Sequence, residues 1–457
     1  MLSEQTPDAH PSDLLGRRYS LVTLGCFRNE VESDLLRSAL RELGMEETGD
    51  IRACEVALVM TCGFIREACD EGIDTILEIA DISAAGPPPP IVVLGCMSQR
   101  YGADLMREMP EISGVLGCDW GPDLAVTLTS VLSGRKAAAP GRAPSISGVR
   151  RSVDSSAGPL FIRVSDGCDR ACRFCAIPSI RGPHVSRQPD DILEETERLC
   201  AGRQREVVLL AQDLTSYGSD LGGGIDLPWL TGRVARVEGA HWVRLLYLQP
   251  EAVTERLIEA VASEPRVLRY FDIPFQHASS SVLAAMGRPG SGAGYLGLLE
   301  KVRAAMPDAA IRSTVMTGYP GETESDFEEL AAFVESARFD WLGAFVFSPE
   351  EGTPAAQMEP AVPADTALSR YNRIVEIQDA CEESRVLGMV GRELEVVIDG
   401  PSEVAPFDLV GRSYREAPVV DGCIYIVGRQ GRATRETGAF LTARIIGQEG
   451  LDLVAEI

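Results

Sequence analysis

Apolar and polar positions follow three different rhythms along the chain. From residue 19 to 133, short apolar runs at 19–24, 56–60 and 91–94 are separated by stretches with helical spacing. After the first run, Val31, Leu35, Leu36, Ala39 and Leu43 recur at three- and four-residue steps, the stripe of an amphipathic helix. Asn29 is placed to cap that helix, with Glu32 at the capping-box position and Gly44 as the stop. Strand, helix, strand, helix implies parallel strands joined by right-handed crossovers, a doubly wound α/β layout. The proline run 87–90 introduces the third strand.

From 134 to 158 the chain turns to Ala, Pro, Gly, Arg and Ser without periodicity, which reads as a linker. A second α/β section spans 159–385, with strand candidates at 160–164, 206–210, 242–246, 270–273, 311–315 and 341–345. Six strand–helix units predict a partial (β/α) barrel whose working face lies at the strand C-termini. From 387 to 457 the rhythm shortens to β-like runs with Gly turns, at 395–398, 423–427 and 440–446, as in a small β-barrel. Residues 1–18 form a polar tail.

Composition narrows the setting. At 457 residues the chain exceeds one compact core. Its net charge of -25 disfavours phosphate backbones and suits basic proteins. No apolar stretch approaches the roughly 18 residues of a membrane span, and the tail lacks the apolar core of a signal peptide. A cytoplasmic protein is expected. Twelve cysteines in a reducing compartment point to metal or catalytic use rather than disulfides.

Cys168, Cys172 and Cys175 stand directly after the first strand of the middle section. Three thiolates so close can hold three irons of a [4Fe–4S] cube and leave the fourth open. The alternatives are a zinc site completed by His184 across an awkward spacing, or unrelated buried thiols. Cys26, Cys62 and Cys96 each follow one of the three N-terminal strands. Parallel strands deliver their ends to one edge, so these three can converge on a second metal centre; singly, each would be a small hydrophobe. Cys54, Cys69, Cys118, Cys200, Cys381 and Cys423 lack such placement and read as core. Gly318 and Gly321 lie in a turn before a helix capped by Thr323 and Asp326. Such a turn either offers backbone amides to a ligand or is merely a tight connection. Arg181 is either a bidentate hold on a carboxylate or a surface arginine.

With Phe174 before the last cysteine, the Cys168–Cys175 motif resembles the radical S-adenosylmethionine (SAM) signature. Residues 176–182, Ala-Ile-Pro-Ser-Ile-Arg-Gly, resemble its continuation in the methylthiotransferase family. The likeness runs from about Tyr19 to the terminus and includes the 348–354 closing loop. Phe27, Met60 and Phe275 depart from the usual family residues. The resemblance implies two [4Fe–4S] clusters, one on Cys168, Cys172 and Cys175 that cleaves SAM to a 5′-deoxyadenosyl radical. The other, on Cys26, Cys62 and Cys96, carries the sulfur to be inserted. It further implies SAM or substrate contacts at Gly318, Gly321, Gln212 and Arg181, and an electron donor such as a flavodoxin or ferredoxin. The C-terminal section resembles a TRAM domain.

The family splits into a tRNA branch and a branch that modifies the β-carbon of an aspartate in ribosomal protein S12. Gln212-Asp213 with Thr215, Tyr217 and Gly218, and Gln276-His277, resemble the protein branch. Charge agrees: residues 387–457 carry seven Arg and no Lys against eleven Asp and Glu. Such a module cannot supply the counterion release on which RNA affinity rests, but it suits a basic ribosomal protein. A merely solvated acidic face is the alternative. A tRNA substrate, or a non-enzymatic iron–sulfur carrier, are the rival functions; the carrier leaves the six-strand section unexplained.

Overall fold

The computed structural model describes residues 13–82, 87–139, 151, 158–428 and 436–457. The tail through residue 12 and most of the linker expected at 134–158 lie outside the described residues.

Six parallel strands form the N-terminal sheet: β1 (Arg18–Thr23), β2 (Glu46–Glu47), β3 (Val56–Thr61), β4 (Ile91–Gly95), β5 (Ile112–Leu116) and β6 (Ala137–Ala139). Their order is β2-β1-β3-β4-β5-β6. Helices α1 (Phe27–Glu42), α2 (Arg66–Ala80), α3 (Cys96–Glu108) and α4 (Leu124–Leu132) connect them. Side chains alternate across a strand, so β3 presents Val56, Leu58 and Met60 to α1 and α4, and Ala57 and Val59 to α2 and α3. The sheet is therefore covered on both faces, and the strand order reverses between β1 and β3.

Helix α1 departs from expectation. Cys26 is its N-cap and Phe27 its first residue, so Asn29 and Glu32 fall inside the first turns instead of forming a capping box. The Asn29 side-chain amide donates back to the Leu24 carbonyl at 2.5 Å, and Glu32 is buried among arginines. Gly44 follows the helix end in a left-handed conformation (φ 76°), as a stop should.

All six central strands appear: β7 (Leu160–Arg163), then a short antiparallel pair, β8 (Ser165–Asp166) with β9 (Val185–Ser186), then β10 (Arg205–Leu210), β11 (Ala240–Leu245), β12 (Tyr270–Gln276), β13 (Ala310–Thr317) and β14 (Trp341–Val346). The six long strands form two parallel sheets, β11-β10-β7 and β12-β13-β14, joined by a single Val243–Val267 bridge. Helices α5 (Ile177–Arg181), α6 (Pro189–Cys200), α7 (Leu227–Val234), α8 (Glu255–Ser263), α9 (Ser280–Ala285), α10 (Gly292–Ala305), α11 (Glu324–Ala337) and α12 (Ala364–Leu387) accompany them. On β10, Val207 and Leu209 face the surrounding helices, whereas Val208 and Leu210 face inward, toward α1 and α4. The half-barrel is thus closed by the N-terminal section rather than by further strands.

Strands β15 (Glu393–Pro401), β16 (Leu409–Arg412), β17 (Ile424–Val427), β18 (Phe440–Glu449) and β19 (Asp452–Glu456) close into the expected small barrel, ordered β15-β16-β17-β19-β18. Its core is its own: Val396, Ile398, Ile424, Ile426, Ile445 and Ala455. Among the described residues no helix is long and apolar enough to cross a membrane.

The sections are joined by specific contacts. Phe27 of α1 stacks on Phe161 of β7 with centroids 5.0 Å apart. Glu206 of β10 lies between Arg244 of β11 (2.6 Å) and Arg412 of β16 (2.7 Å).

One buried carboxyl works against stability. Burial raises Glu382 of α12 to about 7, and its Oε1 has no hydrogen-bond partner. A raised folded-state pKa means its favourable contribution is complete below the unfolded value near 4.5 and is lost as pH rises through about 7. Glu382→Gln should therefore melt above the parent at pH 8, with the difference gone at pH 4, in thermal scans at both pH values.

Candidate active site

The C-terminal ends of the N-terminal strands face those of the central strands. Gly25 precedes Cys26 with φ 92°, and a Cβ there would lie 2.6 Å from Cys62 Cβ. Gly95 precedes Cys96 with φ 96°, where a Cβ would lie 2.6 Å from the Thr61 carbonyl. Only glycine lets these strand ends approach so closely. Cys26 is the N-cap of α1, Cys62 directly follows β3, and Cys96 is the first residue of α3. Two of the three thus sit at helix N-termini, where the helix dipole favours a thiolate.

Across from them, the loop after β8 carries Cys168, Cys172 and Cys175. Arg173 fixes this loop twice: its amide donates to the Met286 carbonyl and its carbonyl accepts from Ala355, each at 2.9 Å. Asp213 holds Arg170 at 2.5 Å, so the Gln212-Asp213 pair splits its work between the cavity and the loop behind it.

All six cysteines line one cavity of about 390 Å³. Among the described residues no three His, Cys, Asp or Glu side chains converge tightly enough for a single metal ion. The thiols are instead spread over two opposing walls. Three sulfur donors per wall, with room between, suit a pair of three-cysteine iron–sulfur clusters. A larger open cleft of about 760 Å³ lies at the other edge of the N-terminal sheet, but holds Cys54 alone. His184 shares a hydrogen bond with Ser186 at 3.1 Å and does not line the six-cysteine cavity.

The wall is cationic, although the chain as a whole is strongly acidic. Arg28, Arg170, Arg181, Arg288 and Arg312 line the cavity against one carboxylate, Asp272. Arg288 donates to the Gln249 side chain and the Pro274 carbonyl, each at 2.9 Å, and reaches Cys172 Sγ at 3.6 Å. Arg312 is held by Asp272 at 3.0 Å and Asp421 at 3.1 Å. Phe64, Phe174, Leu246 and Tyr247 supply apolar wall. Tyr247 has φ 64°, a costly conformation for an aromatic residue outside a turn and one that clusters at functional sites.

Arg181 is not on the surface. It is 2% exposed, pairs with Glu32, lies 3.6 Å from Asp166 and donates to Cys96 Sγ at 3.2 Å. Asp166 also accepts from Arg28 at 2.6 Å and from Gln212 at 3.0 Å. Burial opposes its charge, yet Arg28, Arg181 and Arg163 hold it well below the usual carboxylate range.

Among the thiols, burial pushes Cys62 and Cys175 each up to about 12. Cys96 is lowered, first by a hydrogen bond from Cys118 and, against burial, by Arg181. Cys118, expected to be simple core, is buried as expected but abuts Cys96. Cys200 is fully buried; Cys54, Cys69, Cys381 and Cys423 are partly so.

Of the other sequence candidates, Gln212 lines the cavity, with its Oε1 unpartnered. Gly318 and Gly321 do not. The amides of Gly318 and Tyr319 are taken by the Glu322 carboxylate at 2.7 and 3.1 Å, leaving nothing for a ligand. Their turn precedes α11, which Thr323 and Asp326 cap reciprocally as expected. The 348–354 loop ties the sections together: Glu350 pairs with Arg100 of α3 at 3.2 Å.

Three families match in succession: an uncharacterized protein family, UPF0004, over residues 18–117, the Radical SAM superfamily over 162–334, and the TRAM domain over 390–457. In fold, the chain is similar to the radical SAM methyltransferase TsrM of Kitasatospora setae, at TM-score 0.55 and 16% identity, covering 75% of this chain and 77% of that one. The Radical SAM match, which falls on the half-barrel and its Cys168–Cys175 loop, makes this a radical SAM enzyme.

Similarity over nearly full length is narrower. The chain is 41% identical to the ribosomal protein uS12 methylthiotransferase RimO of Moorella thermoacetica, over 90% of this chain and 93% of that one. It is 38% identical to RimO of Symbiobacterium thermophilum, over 96% and 90%. The chain belongs to the uS12 methylthiotransferase family.

Proposed function

We propose that this chain inserts a methylthio group at the β-carbon of an aspartate in ribosomal protein S12, with two [4Fe–4S] clusters and SAM. The observation that carries the reading is a single arginine-lined cavity onto which two cysteine trios open from opposite walls. Cys168, Cys172 and Cys175 would hold the cluster that binds SAM; Cys26, Cys62 and Cys96 would hold the other. When bound, these groups supply the one-electron chemistry that removes hydrogen from an unactivated carbon and the sulfur that replaces it. The sections 19–133, 159–385 and 387–457 would be the domains that carry, in turn, the sulfur-donating cluster, the SAM-cleaving cluster and the substrate-facing barrel.

The protein's own part is to bind, orient and exclude. Arg288, which lines the cavity with no carboxylate partner among the described residues, gives it the cation that an aspartate side chain and the carboxylate of SAM both need. Gln212 keeps one amide oxygen free at the wall to accept a hydrogen bond. Phe64, Phe174 and Leu246 shed water, which strengthens every polar contact inside. The acidic C-terminal barrel complements a lysine- and arginine-rich ribosomal protein. A flavodoxin or ferredoxin is the reductant this chemistry calls for.

The test is an anaerobic turnover of reconstituted protein with SAM, sulfide and reductant, offering S12 and tRNA in parallel and reading both by mass spectrometry. A methylthio group on one S12 aspartate is expected. Modification of the tRNA alone would overturn the substrate while keeping the chemistry.

A further inference from the structure

Helix α5 begins two residues beyond Cys175 and ends at Arg181, whose guanidinium reaches Cys96 Sγ of the opposite trio at 3.2 Å. One short helix therefore spans the two cluster walls. The side chain has little freedom: it is 2% exposed, and Glu32 and Asp166 hold its other edge. Around it, among the described residues, Arg28, Arg163 and Arg181 face two carboxylates, Glu32 and Asp166, leaving a net positive charge against the N-terminal trio.

We infer that Arg181 is a positioning residue for the cluster on Cys26, Cys62 and Cys96, fixing the Cys96 sulfur and raising that cluster's reduction potential. The inference rests on the two-cluster reading above. Hydrogen bonds to cluster sulfurs and nearby positive charge stabilise the electron-richer state. Arg181 supplies both, and does so from the section that carries the SAM-cleaving trio. An ion pair serving only to join two sections would not need to touch the sulfur. Arg163 provides that comparison: it bonds Glu32 and Asp166 at 3.3 Å each and does not line the cavity.

The experiment uses the full chain with Cys168, Cys172 and Cys175 all changed to Ala, so that one cluster remains, and follows its midpoint potential by EPR under anaerobic titration. Adding Arg181→Gln should lower the equilibrium constant for reduction about tenfold, a negative shift of about 59 mV for one electron. Arg181→Lys should recover part of it, and Arg163→Gln, which removes a charge but no hydrogen bond to sulfur, should shift the potential less than Arg181→Gln does. If Arg181→Gln takes up no iron, Arg181→Lys carries the comparison and must itself shift negative. Equal shifts from Arg181→Gln and Arg163→Gln, or none from Arg181→Gln, overturn the inference. If the triple-Ala parent binds no iron, the two-cluster reading fails, and this inference with it.

Discussion

Cys175→Ala loses SAM cleavage to the background level, whereas Cys62→Ala keeps cleavage and loses methylthio transfer. The asymmetry follows from the two walls. Cys175 belongs to a loop whose backbone is fixed without its thiol: Arg173 is clamped on both sides, and the Cys175 amide donates to the Cys172 carbonyl at 3.1 Å. Replacing the thiol with a methyl group therefore leaves the fold standing and removes one of three donors. On the proposed assignment, two donors would not hold the cluster that engages SAM, and no radical would form. Cys62 sits on the other wall directly after β3, a strand whose six residues are all buried and which Ala does not disturb. Its loss empties the sulfur-donating wall only. Chromatography of the SAM cleavage product and mass spectrometry of S12 read the two activities separately, and iron content should fall by half in each variant. Methylthio transfer persisting in Cys62→Ala would sink the division of labour between the trios.

Which parts of this were legible in the sequence depends on how far apart the contributing residues lie. β10 was legible because a strand buried on both faces is a nearly unbroken apolar run, as in Val207 to Leu210; β13 and β14, only partly buried, were marked by their β-branched and aromatic residues. β2 and β6, of two and three residues, are too short to carry a pattern, and Gly114 interrupts β5. The cap of α1 was misplaced because Asn29 and Glu32 fit a capping box, while their partners, Leu24 and the arginines of another section, are set by tertiary packing. The cysteines announced themselves by spacing and by their shared strand-end context.

The arginines did not. Arg28 lies hundreds of residues from Arg288 and Arg312, and they share one cavity only because the N-terminal section packs against the half-barrel. Local context marks Arg181, six residues past Cys175, and gives the rest no pattern of their own, although Arg28 and Arg170 each stand two residues past a cysteine. At Gly318 the turn chemistry was legible, but not that Glu322, four residues on, takes the Gly318 and Tyr319 amides in this structure.

The largest loss of stability is expected from Glu206→Ala. The Glu206 carboxylate is 1% exposed and bridges Arg244, itself 0% exposed, to Arg412, 5% exposed. Burial opposes its ionisation, but the two guanidiniums outweigh burial and hold its pKa down. Removing it leaves two buried cations facing each other. Arg412 retains Asp399 at 2.8 Å, and Arg244 retains the neutral Ser413 and Tyr414 carbonyls and the face of the Tyr270 ring, but no carboxylate partner among the described residues. Breaking a buried pair by deleting one partner costs about 3–5 kcal/mol, and this pair joins β10 and β11 to β16 of the C-terminal barrel. Because that barrel has its own core, it should stay folded while its seat on the half-barrel weakens. Chemical denaturation followed by tryptophan fluorescence should show an earlier transition, with Trp242 and Trp341 reporting, since Trp341 Nε1 donates to the Arg415 carbonyl at 2.7 Å across the same seam. Glu206→Gln should cost less than Glu206→Ala, because the amide oxygen still accepts from one arginine. A variant pair with equal loss would mean that the charge of Glu206 matters and its hydrogen bonds do not. An unchanged midpoint in Glu206→Ala would mean that the other contacts across the seam, such as Trp341 to Arg415 and Arg312 to Asp421, hold the two sections without it.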